Sequence, residues 1–272
     1  MDVGAPFELP GDGADPEGAG ASQSVGIVLV HGFTGTPYEV RYLGEQLARD
    51  GFTVRAPLLP GHGVSVKALD RTTWRDWVDA VEGAVDDLRG RCAQVAVVGQ
   101  SLGGLLALYL GSQRPELAAV GSLAAPLWLP WFAARVAAST QGGLLRRVRV
   151  LPKLGGSDVR DRRVRAENPC YDAFPTRALG QLLAFMRIVD EALPRVTPPV
   201  LVLHGAQDHT APVACAPRIA DRARARRLRI LPRSYHLIAV DVERDIVAAE
   251  VASFVRQAAR ERAAPASPPA NP

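Results

Sequence analysis

Gln94-Val95-Ala96-Val97-Val98-Gly99-Gln100-Ser101-Leu102-Gly103-Gly104 is the stretch that decides the fold. Its first half is short, unbroken and rich in β-branched residues, the pattern of a strand buried on both faces. A helical pattern over Leu102–Gln113 follows at once. Between them, Gly99-Gln100-Ser101-Leu102-Gly103 matches G-x-S-x-G in the strand-to-helix setting that motif requires. The glycines permit a sharp turn on which the serine oxygen projects outward, and the helix N-terminus behind it favours negative charge.

The same rhythm extends in both directions. VGIVLV at Val25–Val30, Phe52–Ala56, Ala119–Ala124, PVLVLH at Pro199–His204 and Leu228–Leu231 read as strands. Tyr38–Asp50, Thr73–Leu88 and Arg244–Arg260 read as helices, the second capped by Thr72 or Thr73. Alternating strands and helices predict an α/β fold with a doubly wound, mostly parallel sheet. The segment Pro126 to Arg195 has helical patches and no convincing strand, so it reads as a small helical cap inserted between two strands. The expected organisation is a flexible segment over 1–24, a core over 25–125 and 196–262, a cap over 126–195 and a disordered tail over 263–272. Pro6–Pro10 is the one part of the head with the makings of an edge strand.

A serine hydroxyl needs a base to become a nucleophile. Five histidines are available: His31, His62, His204, His209 and His236. His236 follows the Leu228–Leu231 strand and precedes the last helix, which puts it on the carboxyl edge of the sheet with Ser101. His31 and His204 end strands and compete for the same role. The base needs an acid to hold its tautomer. Asp208, directly after the PVLVLH strand, lies on that edge; Asp241, five residues after His236, is the alternative and suits the start of the last helix. The order Ser101, Asp208, His236 is the one such triads follow on a doubly wound sheet. The backbone N–H of Leu102 and that of Phe33, within His31-Gly32-Phe33-Thr34-Gly35, are the expected oxyanion donors. His62, in the turn Pro60-Gly61-His62-Gly63, reads as a turn residue lining the rim rather than a metal ligand. Trp128, Trp131 and Phe132, in a densely apolar stretch, either floor a substrate pocket or cement the cap to the core.

Composition excludes several classes. The chain has 272 residues, 47% of them hydrophobic and 22% charged, with a net charge of +4. That matches an ordinary globular domain. Cys92, Cys170 and Cys215 are odd in number and widely spaced, which fits a reducing compartment and no metal site. Met1 to Gln23 has neither a basic start nor an apolar stretch, so no signal peptide is expected and the expected location is cytoplasmic. Eight Arg or Lys face two Asp between Arg146 and Arg165, and a second basic cluster runs from Arg218 to Arg229. Without interleaved aromatics these read as solvated faces rather than a nucleic-acid site.

HGFTGTP at 31–37, PGHG at 60–63, GQSLGG at 99–104, HGAQD at 204–208 and SYHLIAVDVERD at 234–245 occur in order. Together they resemble the bacterial carboxylesterase and monoacylglycerol lipase family of α/β-hydrolases, over residues 25 to 257. The resemblance implies a serine esterase acting on short- to medium-chain carboxylic esters or monoacylglycerols through an acyl-enzyme. The family's nucleophile falls on Ser101, its acid on Asp208, its base on His236 and its oxyanion donors on Phe33 and Leu102. No metal or cofactor is implied. The implied partner is a small-molecule ester, with no nucleic acid, no integral membrane segment, and a chain that is a monomer or homodimer. An acyl-CoA thioesterase is the runner-up, on account of the arginine-rich cap. Lactonases, carbon–carbon bond hydrolases and acyltransferases share the triad, and a non-catalytic ligand-binding protein shares the fold.

Overall fold

Strands that are apolar on both faces split the core into two layers. In β2 (Val25–Val30), Ile27 and Leu29 pack into one hydrophobic cluster while Val28 and Val30 pack into the other. In β4 (Gln94–Gln100), Ala96 and Val98 follow the first pair and Val95 and Val97 the second. Successive side chains point to opposite faces, so a sheet covered on both sides needs every position apolar. The remaining strands of the sheet are β1 (Phe7–Leu9), β3 (Thr53–Ala56), β5 (Val120–Leu123), β8 (Val200–Gly205) and β9 (Arg227–Leu231). The computed structural model, which describes residues 4–11, 24–142, 147–153 and 155–264, orders them β1-β3-β2-β4-β5-β8-β9. Every pairing is parallel except that of β1 with β3.

Helices α1 (Tyr38–Arg49) and α9 (Arg244–Ala263) cover the first face. Helices α3 (Trp74–Arg89) and α4 (Leu102–Gln113) cover the second, where the shorter α2 (Val66–Leu69) and α8 (Cys215–Arg222) add Leu69, Cys215 and Ile219 to the same cluster. Helix α4 is apolar around nearly its whole circumference because it lies beneath other helices. Thr73 closes α3 with a capping box: its hydroxyl accepts the Asp76 N–H, and the Asp76 carboxylate accepts the Thr73 N–H at 2.7 Å. Such a cap stabilises a helix by about 1 kcal/mol.

Between β5 and β8 the chain forms α5 (Trp131–Gly142), β6 (Val150–Pro152), α6 (Arg162–Glu167), β7 (Ala173–Pro175) and α7 (Thr176–Ala192). Two features depart from expectation. The segment carries a small antiparallel pair, β6 with β7, where no strand is expected. Each strand is three residues long and contains a proline, so neither shows a readable period. Helix α7 buries Phe185, Met186 and Val189 in the same cluster as α4, so the last part of the expected cap packs as a layer helix of the core.

The head adds the short edge strand β1, with Phe7 opposite Ala56. Residues 1–3 and 12–23 of the expected flexible segment, and 265–272 of the expected tail, lie outside the described residues. Helix α9 runs through Ala263, the first residue of that tail. Among the described residues no helix is long and apolar enough to cross a membrane.

Candidate active site

Ser101 sits where β4 turns into α4, with φ 57° and ψ −116°. Positive φ is strained for a residue with a side chain, and the surroundings hold it there. The Ser101 N–H donates to Leu123 O at 2.8 Å. A Cβ on Gly99 would lie 2.0 Å from Gly103 C, and one on Gly103 would lie 2.1 Å from Val30 O. Only glycine at both places lets strand, turn and helix approach this closely.

The carboxyl edge brings three distant side chains together. The Ser101 hydroxyl lies 2.9 Å from His236 Nε2, and His236 Nδ1 lies 2.8 Å from Asp208 Oδ2. The Asp208 carboxylate is fully buried. Its Oδ1 accepts the N–H groups of Thr210 and Ala211 at 2.8 and 2.7 Å. His204 Nε2 stands 3.1 Å from Oδ2. Burial alone raises a carboxyl pKa; here the imidazoles of His236 and His204 outweigh it and hold Asp208 well below the usual carboxylate range. Burial depresses the basicity of His236, and Asp208, with Asp158 and Glu39 further off, more than restores it, so His236 titrates above its ordinary value.

The other candidates take other places. His204 touches the acid and not Ser101. His31 is buried, with Nδ1 donating to Gly32 O at 2.9 Å and Nε2 accepting the Leu59 N–H at 3.1 Å. His62 is not on the rim: it is fully buried, packs edge-on against His31, Phe33 and Trp77, and burial pushes its pKa down to about 4. Asp241 does not act as an alternative acid and does not start the last helix. Its carboxylate accepts N–H groups from Tyr235, Arg160, Asp161 and Val242 at 2.7 to 3.0 Å, tying the inserted segment to the loop that carries His236.

Phe33 follows Gly32, on which a Cβ would lie 3.3 Å from Ser101 Cβ, and Leu102 opens α4 directly after Ser101. Neither backbone N–H has a hydrogen-bond partner among the described residues. The Phe33 ring stacks on Phe174 of β7 at 6.3 Å. Trp131 and Phe132 do not floor a pocket, nor do they cement the inserted segment. They are 76% and 66% exposed, edge-on to each other at 6.0 Å, while Trp128 is 37% exposed. They occupy the first turn of α5, whose buried residues are Ala137 and Thr140 further along.

Sequence reasoning missed two supports. Gln100, fully buried, donates from Nε2 to His236 O at 2.8 Å and accepts the Ala239 N–H at 3.3 Å, bracing the Ser101 turn against the loop that carries His236. The motif leaves this position open, so nothing marked it. Asp158 accepts the N–H groups of His236 and Leu237 at its backbone oxygen, both at 3.1 Å. Among the described residues no group of three or more His, Cys, Asp or Glu is placed to hold a metal.

Residues 22–243 match the family described as serine aminopeptidase, S33. The chain belongs to this family of α/β-hydrolases. This hydrolase is 36% identical over 225 residues to the thermostable monoacylglycerol lipase of Bacillus sp. (strain H-257), across 82% of its own length and 87% of the relative's. It is 27% identical over 234 residues to a carboxylesterase of Bacillus subtilis (strain 168), across 85% and 92%. Among solved structures, a metagenome-derived lipolytic enzyme superposes with a TM-score of 0.83 at 26% identity, covering 94% of this chain and 99% of that one. A monoacylglycerol lipase of Paleococcus ferrophilus superposes with a TM-score of 0.74 at 19% identity, covering 93% and 98%, a likeness of fold alone.

Proposed function

We propose that this hydrolase cleaves carboxylic esters, of short to medium acyl chain or of the monoacylglycerol class, through an acyl-enzyme on Ser101. The observation that carries the reading is the unbroken relay from Ser101 Oγ to His236 Nε2 and from His236 Nδ1 to Asp208 Oδ2, at 2.9 and 2.8 Å. Its kinship with a monoacylglycerol lipase and a carboxylesterase supports the substrate class.

In the first half-reaction Ser101 Oγ attacks the ester carbonyl carbon and its proton passes to His236 Nε2. Asp208, ionised and buried, keeps the other imidazole proton on Nδ1 and stabilises the imidazolium. The carbonyl electron pair moves onto oxygen, where the N–H groups of Phe33 and Leu102 receive it. Collapse expels the alkoxide, which takes the proton from His236. Water then gives a proton to the same imidazole and attacks the acyl carbon; collapse breaks the acyl–Oγ bond, Ser101 Oγ takes that proton back from His236, and the acid leaves. Because His236 must be neutral to start, its raised pKa also makes its conjugate acid a weaker donor than an ordinary imidazolium and its free base a stronger one.

Turnover of p-nitrophenyl esters from acetate to palmitate, beside a monoacylglycerol, an acyl-CoA and an aminoacyl p-nitroanilide, tests the substrate class. The expected profile peaks at a short or medium ester, with monoacylglycerol cleaved and the anilide left intact. Preference for acyl-CoA or for the anilide would reassign the chain to thioester or peptide hydrolysis.

A further inference from the structure

The loop after β2 wraps a buried acid that the relay does not use. Glu39, in the first turn of α1, is 3% exposed, and its Oε2 accepts the Gly32 N–H at 2.8 Å. The loop is shaped around this carboxylate. A Cβ on Gly35 would lie 2.2 Å from Glu39 Oε1, and one on Gly32 would lie 2.9 Å from Oε2 and 3.3 Å from Ser101 Cβ. The two glycines of Gly32-Phe33-Thr34-Gly35 therefore leave room for the acid, and Gly32 passes directly beside the nucleophile. Thr34 turns the chain back with φ 66°, a conformation that needs outside support in a non-glycine residue.

The consequence falls on the next peptide. Gly32 O accepts from His31 Nδ1 at 2.9 Å and from the Gly35 N–H at 3.2 Å. In a trans peptide the N–H points opposite to the C=O, so anchoring Gly32 O aims the Phe33 N–H away from those donors. With Gly32 N–H fixed on one side and Gly32 O on the other, the Phe33 N–H keeps one direction and has no hydrogen-bond partner among the described residues. We propose that Glu39 is a positioning residue for acyl transfer: by accepting the Gly32 N–H it fixes the loop so that the Phe33 N–H meets the oxyanion formed at Ser101. This rests on the Ser101 reading above.

An acceptor is what the role requires, so glutamine should serve and leucine should not. Glu39→Gln keeps a carbonyl oxygen for Gly32; Glu39→Leu keeps the volume and removes the acceptor. On a p-nitrophenyl butyrate assay, Glu39→Leu is expected to lower kcat about 100-fold with KM within about threefold, the signature of losing an oxyanion donor. Glu39→Gln is expected to retain kcat within about fivefold. Gly35→Ala displaces the carboxylate without removing it and is expected to follow Glu39→Leu, which keeps the test open should the leucine variant not fold. Wild-type kcat in Glu39→Leu or Gly35→Ala, or equal damage in Glu39→Gln and Glu39→Leu, would overturn the role. Ser101→Ala in the same series separates the two claims. If it is inactive while the Glu39 variants match wild type, Glu39 alone is refuted. If it is active, the Ser101 reading falls and the role of Glu39 falls with it.

Discussion

The carboxyl edge of the sheet and the segment inserted between β5 and β8 are built on different terms. At the edge, Ser101 and Asp208 leave β4 and β8, strands hydrogen-bonded on both sides and packed between two hydrophobic layers, while His236 follows the outermost strand β9, and its loop is held by Gln100, Asp158 and Asp208. In the insertion, β6 and β7 are three residues each, α5 buries two residues, and Trp131 and Phe132 face outward. The edge has one geometry because many strong constraints agree. The insertion is held by the burial of α7 in the core and, before that helix, by discrete ties such as those of Asp241 and Asp158. On the proposed function, the chemistry lies in the first region.

Substitutions at the edge should therefore act on the chemical step, and the largest effect belongs to the nucleophile. Ser101→Ala is expected to lower kcat by about 10⁶-fold with the fold intact. Asp208→Asn is expected to lower it by about 10⁴-fold, because the amide no longer holds the proton on Nδ1 of His236. Steady-state kinetics on a p-nitrophenyl ester reads both, and an Asp208→Asn enzyme within tenfold of wild type would contradict the relay.

The pH dependence sharpens the same point. His236 acts as base only when neutral, and its pKa lies above the ordinary 6.5. The acid limb of kcat/KM is thus expected above pH 6.5, activity falling about tenfold per unit below it. A limb below pH 6 would show that the acids around His236 do not support it as described.

For the insertion, ties matter more than surface. Asp241→Ala leaves four N–H donors without their acceptor and is expected to cost about 2 to 4 kcal/mol of stability, read as a lowered midpoint in denaturant. Trp131→Ser and Phe132→Ser remove exposed rings and should change stability by less than about 0.5 kcal/mol, with turnover of p-nitrophenyl acetate within about twofold. A large loss of either would mean that these rings are covered in the working enzyme.

Legibility in the sequence followed the same division. The strands β2, β4 and β8 and the turn at Ser101 were readable because buried parallel strands and a strained turn leave few residue choices. Asp208 was readable because it follows such a strand, and His236 because it lies between the strand β9 and the last helix. Gln100 was not: it meets the His236 loop across 136 positions of chain, and its identity is unconstrained by the turn it sits in. Asp241 carried the right residue type for an acid, and only the fold shows that its oxygens are already filled by backbone donors. The pair β6–β7 and helix α7 escaped for opposite reasons. The strands are too short to show a period, whereas α7 belongs to the core although the chain reaches it from the insertion.

The most direct test of the account is the site of covalent capture by a fluorophosphonate, read by intact mass and peptide mapping. Ser101 is predicted to carry the single adduct, with none on Ser101→Ala and greatly slowed labelling in His236→Ala. Labelling at another residue, or an unlabelled Ser101 in enzyme that still turns over ester, would contradict it.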